Sequence, residues 1–241
     1  MLHSYLADER ARIENLRIVG VTKEETPEVY DTFMEYTTKA YASEKSPLEL
    51  SFIPIHPGDI LSYGGYHFEV KLLKGHTFGQ CGLYEPEKKL MFVGDQLMTT
   101  IVPIVGTQET DLGMLKCYLD SLGDLKHKYK DCYFLPCHYG EIKNVEKEVN
   151  RIILGYLEKC EIMKHVLEEA GTALTTRDIG VRTYGRSQGP PDYAHFASCT
   201  YIWAKTFSCM EYMMGEGFVE RSERDGIIYW KAPSIHFENN R

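Results

Sequence analysis

Three loop residues carry side chains able to ligate a metal. His76 lies in Gly-His-Thr-Phe-Gly, Asp95 in Val-Gly-Asp, and His138 in Pro-Cys-His-Tyr-Gly. Imidazole and carboxylate are the usual nitrogen and oxygen donors of catalytic zinc or iron, and a carboxylate can bridge two ions. A water on such an ion ionises near neutral pH and becomes a nucleophile. Singly, each residue has a plainer reading: a surface turn, an Asx-turn at a strand end, a histidine beside a turn. Only their order and context make a site of them.

The elements around them explain why they would meet. The stretches "ILSY", "YHFEVKLL", "CGLY" and "KLMFVG" carry β-branched and aromatic residues between Gly, Pro and Asp turn signals, and read as strands. "LSFIPI" reads as one more. "CYFLP" is a short buried strand before the His138 loop. Each of the three residues therefore follows a strand, and strand ends on one rim bring distant residues together.

Helices fill the rest. Residues 5–17 are charged and helix-prone. Thr26–Tyr41 opens on a cap residue, with proline at the first helical position and an acid beside it. Asp111–Tyr129 places Leu112, Leu115, Leu119, Leu122 and Leu125 near helical spacing. From about Asn144 to Ala170, Val145, Val149, Ile152, Tyr156, Cys160, Met163 and Leu167 step along one face. "TTRDIG" reads as a short capped helix and "GRSQGPPDY" as a loop. An apolar helix follows, with Phe196, Trp203, Phe207, Met210 and Met214 as core, then a hairpin with Asp225-Gly226 at its tip. That closing order is the order of a winged-helix module.

The chain has 241 residues and a formal net charge of −8, which speaks against a protein built chiefly to grip nucleic acid. No apolar run reaches the ~18 residues of a membrane span. "MLHSYLADERARIENL" lacks the apolar core of a signal peptide. Seven cysteines without Cys-x-x-Cys suit reduced thiols in a cytoplasmic protein. Cys132, Cys137 and His138 match no closed four-ligand zinc spacing.

From about Pro57 to Glu141 the chain resembles the C-terminal half of metallo-β-lactamase superfamily hydrolases. The motifs are "PGDILSYGGYHFEVKLLKGHTFGQCGLYEPEKKLMFVGDQL", "DLGMLKCYLDSLGDLK" and "FLPCHYG". The tail from about Leu154 is similar to the winged-helix appendix of the lactamase-beta-2-like subgroup. The resemblance implies an α/β (α+β) fold: a partial αββα sandwich over 1–153 and a winged-helix-like domain over 154–241. It implies that His76 ligates one metal, Asp95 bridges two, and His138 ligates the second, with Asp95 and His138 as the catalytic residues.

The family's first motif, His-x-His-x-Asp-His, is missing, and nothing before Leu50 looks like the strands of the first sheet. The expectation is thus a metal-dependent hydrolase, incomplete as it stands. It would use one or two zinc ions, or iron or manganese, on an ester, thioester or phosphodiester, with a small molecule or RNA as substrate. The alternatives are a non-catalytic remnant or subunit of such an enzyme, or a winged-helix nucleic-acid binder. In the last, Arg177, Arg182, Arg186, Arg221, Arg224 and Lys231 would meet phosphates, although "HFASCTYIWAKTFSCMEYMM" has only Lys205 as a base. A sandwich short of one sheet exposes apolar surface, so either a missing N-terminal portion or a homo-oligomer should cover it.

Overall fold

The computed structural model describes residues 9–42, 53–106, 113–185 and 193–233. The chain divides into two compact units, one spanning Glu49–Glu158 and the other joining Met1–Leu48 to Lys159–Arg241.

The first unit is built on five strands: β1 (Ile60–Tyr63), β2 (Tyr66–Leu72), β3 (Cys81–Glu85), β4 (Leu90–Gly94) and β5 (Tyr133–Pro136), hydrogen-bonded in that order. The first three pairings are antiparallel and β4 pairs β5 in parallel. Strands β2, β4 and β5 therefore run the same way and end on one edge of the sheet. Chain connectivity explains the mixture. Tight turns close β1–β2 and β3–β4, whereas the parallel step needs a crossover, and the described part of that crossover includes the helix Met114–Lys128.

That helix buries Met114, Leu115, Tyr118, Leu122 and Leu125, so three of the expected leucines are core, whereas Leu119 is half-buried and Tyr118 takes the buried place beside it. Leu112 lies outside the described residues. The unit's share of the long helix buries Val145, Val149, Ile152 and Tyr156, and the sheet contributes Met91, Val93 and Phe134. "LSFIPI" differs from expectation. Its first three residues lie outside the described set, and residues 53–55 form no strand. Pro54 and Pro57 remove two ladder donors, and the His56 amide donates to Asp59 Oδ2 at 2.6 Å in a turn.

The second unit contains α1 (Glu9–Ile18) and α2 (Pro27–Ala42). With the crossover helix as α3, α4 (Val145–Ala170) continues into this unit, followed by β6 (Leu174–Thr175), α5 (Thr176–Tyr184), α6 (Tyr193–Gly215), β7 (Glu220–Arg224) and β8 (Ile227–Lys231). The strand order is β6-β8-β7, all antiparallel. Thr175 caps α5 by accepting from the Asp178 amide at 3.1 Å. Asp225 and Gly226 take φ of 54° and 74° at the hairpin tip, the two left-handed positions of a type I′ turn.

The core here holds Cys160, Met163, Leu167, Trp203, Phe207, Met210 and Trp230. Met214 is 38% exposed, since it sits in the last turn of α6, and the side chain of Phe196 lies outside the described residues. Within this unit the N-terminal segment bonds to the C-terminal part. The Arg177 amide donates to Val19 O at 2.9 Å, and Arg17 donates to Asp225 O at 3.2 Å.

Candidate metal centre

The parallel course of β2, β4 and β5 delivers three loops to one edge of the first unit. His76 follows β2, Asp95 follows β4, and His138 follows β5. Gly94 pairs with Pro136 across the parallel ladder after a register shift, and the Cys137 amide donates to Gly94 O at 3.3 Å. These contacts seat the His138 loop beside the Asp95 turn. Gly94 takes φ +55°, which turns the chain sharply off the strand at Asp95.

His76 sits in a tighter setting. Gly75 has φ +145°, and a Cβ there would lie 2.4 Å from Tyr118 Cδ2 and 2.7 Å from Tyr118 Cα. The turn can approach α3 this closely only with glycine. Gly106 N donates to Gly75 O at 3.0 Å. The imidazole Nδ1–H of His76 donates to Ile104 O at 2.7 Å. With Nδ1 engaged by this carbonyl, the ring turns its Nε2 to the site, the orientation of a metal-ligating histidine held by a carbonyl.

The three side chains converge. His76 Nε2 stands 3.6 Å from Asp95 Oδ2, and His138 Nε2 stands 3.4 Å from Asp95 Oδ1. Each imidazole thus faces a different oxygen of one carboxylate. Asp95 Oδ1 is buried and has no hydrogen-bond donor among the described residues. At 3.6 Å, His76 Nε2 and Asp95 Oδ2 can face each other through a proton on Nε2 or through a cation between them. Two donors on one tetrahedral zinc, each about 2.05 Å from it, lie roughly 3.3 Å apart, close to both separations.

By type, orientation and spacing the residues fit metal ions. By number they fall short, because each Asp95 oxygen has one imidazole opposite it. Among the described residues, no three His, Cys, Asp or Glu side chains gather around a single point. His138 is the exposed member of the trio and His76 the most enclosed. Cys137 is exposed and Cys132 only partly buried, and neither joins a group of donors.

Several supporting residues were not legible in the sequence. Gln96 is buried, and its Nε2 donates to Lys74 O at 3.1 Å. Tyr118 donates to Gln96 O at 2.8 Å. Arg151 donates to Met98 O at 2.6 Å and to Ile101 O at 3.2 Å. Tyr156 donates to Pro103 O at 2.6 Å, so the segment after Asp95 is held to α4 by two side chains. Gln80, a residue of the His76 turn without an assigned role in the sequence, donates from Nε2 to Val93 O at 3.1 Å. Tyr139, beside His138, has φ 66°, and its carbonyl accepts from Thr99 Oγ1 at 2.7 Å.

No protein-family model matches the chain. Over 40 residues it is 50% identical to hydroxyacylglutathione hydrolase GloC of Haemophilus influenzae, a stretch covering 17% of this chain and 19% of that protein. Two solved structures resemble nearly the whole chain. A metallo-β-lactamase family protein of Thermus thermophilus gives a TM-score of 0.72 at 19% identity, over 96% of this chain and 68% of that one. A β-lactamase domain protein of Burkholderia ambifaria also gives 0.72 at 19% identity, over 90% of this chain and 60% of that one. The chain thus spans about a fifth of its curated relative. Likeness at this identity is likeness of fold.

Proposed function

We propose that this chain, which has the metallo-β-lactamase fold, is the bearer of His76, Asp95 and His138 for a metal-dependent hydrolase of that superfamily. One observation supports the reading above the others: two imidazole Nε2 atoms oppose the two oxygens of one carboxylate, at 3.6 and 3.4 Å. Zinc, or iron or manganese in its place, would supply Lewis acidity and an ionised water for attack on an ester, thioester or phosphodiester. Within those classes, the name of the curated relative, a hydroxyacylglutathione hydrolase, favours an acyl group carried on a thiol.

The chain's own residues divide the work. His76, fixed through Nδ1 by Ile104 O, orients the enclosed side of the site. Asp95 offers one oxygen to each position. His138 stands on the open side, where a substrate would approach. The protein purified after growth in zinc should carry metal, and His76→Ala, Asp95→Ala and His138→Ala should each lower the bound metal by elemental analysis. Equal metal in the wild type and the triple variant would end this reading.

A second reading, a non-catalytic remnant or subunit, is favoured by the shortage of donors at each position. It predicts that the metal-loaded chain alone hydrolyses no ester or thioester above the rate of the triple variant. The stretch from about Leu154, with the end of α4, β6, α5, α6 and the β7–β8 hairpin, we read as a winged-helix module. The described part of α6 packs inward through Trp203, Phe207, Cys209 and Met210, and burial of Lys205 lowers its pKa. That supports a packing role for this helix over a phosphate-facing one.

A further inference from the structure

The turns that carry His76 and Asp95 are tied to each other by one buried side chain. Gln96 is 0% exposed. Its Nε2 donates to Lys74 O at 3.1 Å, and its backbone amide donates to Val93 O at 3.0 Å. Its Oε1 is buried with no hydrogen-bond partner among the described residues. An amide with an unmet buried acceptor is less favourable than an apolar side chain of the same shape. Packing therefore does not account for a glutamine here, and the Nε2 bond does.

We infer that Gln96 is a positioning residue that sets the separation of His76 and Asp95. The inference rests on the reading of those two as metal donors. Lys74 is two residues before His76, and Gln96 directly follows Asp95. The amide bridge thus closes a short ring that runs Lys74, Gly75, His76, across to Asp95, Gln96 and back. Both turns begin on glycines with left-handed φ, Gly75 at +145° and Gly94 at +55°, where the backbone is least restrained by its own side chains. The bridge supplies the restraint that those glycines withhold. Tyr118 supports the ring from below, through Gln96 O, without joining the two turns through the amide.

Gln96→Met keeps length and volume and removes the donor. Gln96→Asn keeps the amide, is one methylene too short to reach Lys74 O, and serves as the second variant if Gln96→Met does not fold. Tyr118→Phe removes a buried hydrogen bond and leaves the bridge intact. In metal-free protein, amide exchange at residues 74–76 and 95–97, taken relative to the slowest-exchanging amides of the same variant, should accelerate by about tenfold or more in the Gln96 variants, and by under about threefold in Tyr118→Phe. Cobalt(II) affinity should fall by about 10- to 100-fold in Gln96→Met and by under about threefold in Tyr118→Phe. Wild-type exchange rates in a folded Gln96 variant, or an equal acceleration in Tyr118→Phe, would overturn the assignment. If the wild type takes up no cobalt, the metal reading fails, and the exchange rates alone decide the role of Gln96.

Discussion

Replacing Gly75 by alanine tests how tightly the His76 turn is seated. The added Cβ would lie 2.4 Å from Tyr118 Cδ2, 2.5 Å from Tyr118 Cβ and 2.7 Å from Tyr118 Cα. Two of these atoms belong to the α3 backbone or its first side-chain carbon, so no rotamer change relieves the overlap. Overpacking of this kind costs about 1–3 kcal/mol. Holding a non-glycine residue at φ +145° adds about 1–3 kcal/mol. A loss of about 2 kcal/mol, the low end, lowers the melting temperature of a domain of this size by about 8 °C. Gly79, in the same turn, is the control: its Cβ would meet nothing within 4 Å, and its φ is not left-handed. Gly79→Ala should be neutral or slightly stabilising. Thermal unfolding followed by circular dichroism reads both. If Gly75→Ala melts with Gly79→Ala, within about 2 °C by the same scaling, the seating of His76 on α3 is not as described.

Two further outcomes follow. Burial pushes the Tyr118 phenol well above its ordinary 10.0, with only partial opposition from Arg151. A proton held more tightly in the folded state gives stability that is present below pH 10 and lost as pH rises beyond it, by about 1.4 kcal/mol per pH unit. Tyr118→Phe should cost about 1 kcal/mol at neutral pH, from the lost hydrogen bond, yet fall less steeply above pH 10; parallel urea-midpoint curves for the two proteins would contradict this. The sheet face bearing Tyr66, Phe68 and Phe92, whose rings contact one another at 5.6 and 5.7 Å, continues to Tyr133, and Phe92 and Tyr133 are 40% and 47% exposed. An apolar face of this kind calls for a partner surface, and sedimentation velocity should show a dimer or larger species at micromolar concentration, whereas a compact monomer would count against it.

The three strand-end residues were legible because their signal is local. Each follows a run of strand formers, and a glycine or turn residue marks the exit. Strand direction then does the rest, since β2, β4 and β5 share a polarity. Gln96, Tyr118 and Arg151 were not legible, because what they do depends on partners far along the chain: 22 residues for the bonds of Gln96 and Tyr118, and 53 for that from Arg151 to Met98. All three bond to backbone carbonyls, which leave no mark on residue type at the accepting end. The described part of "LSFIPI" forms no strand, because Pro54 within it and Pro57 just after it withhold ladder donors that its apolar residues cannot replace. The grouping of the first helices with the C-terminal unit was equally invisible, since it rests on contacts such as Gly20 against Thr175 that no periodicity announces.

The sheet also has a second rim. The turns at Gly64-Gly65 and at Pro86–Lys89 close β1–β2 and β3–β4 at the end opposite the histidines, and both are exposed. Peptide tags, fluorophores or whole inserted domains should be accepted there, giving an experimenter handles on the molecule that leave the His76, Asp95 and His138 rim undisturbed.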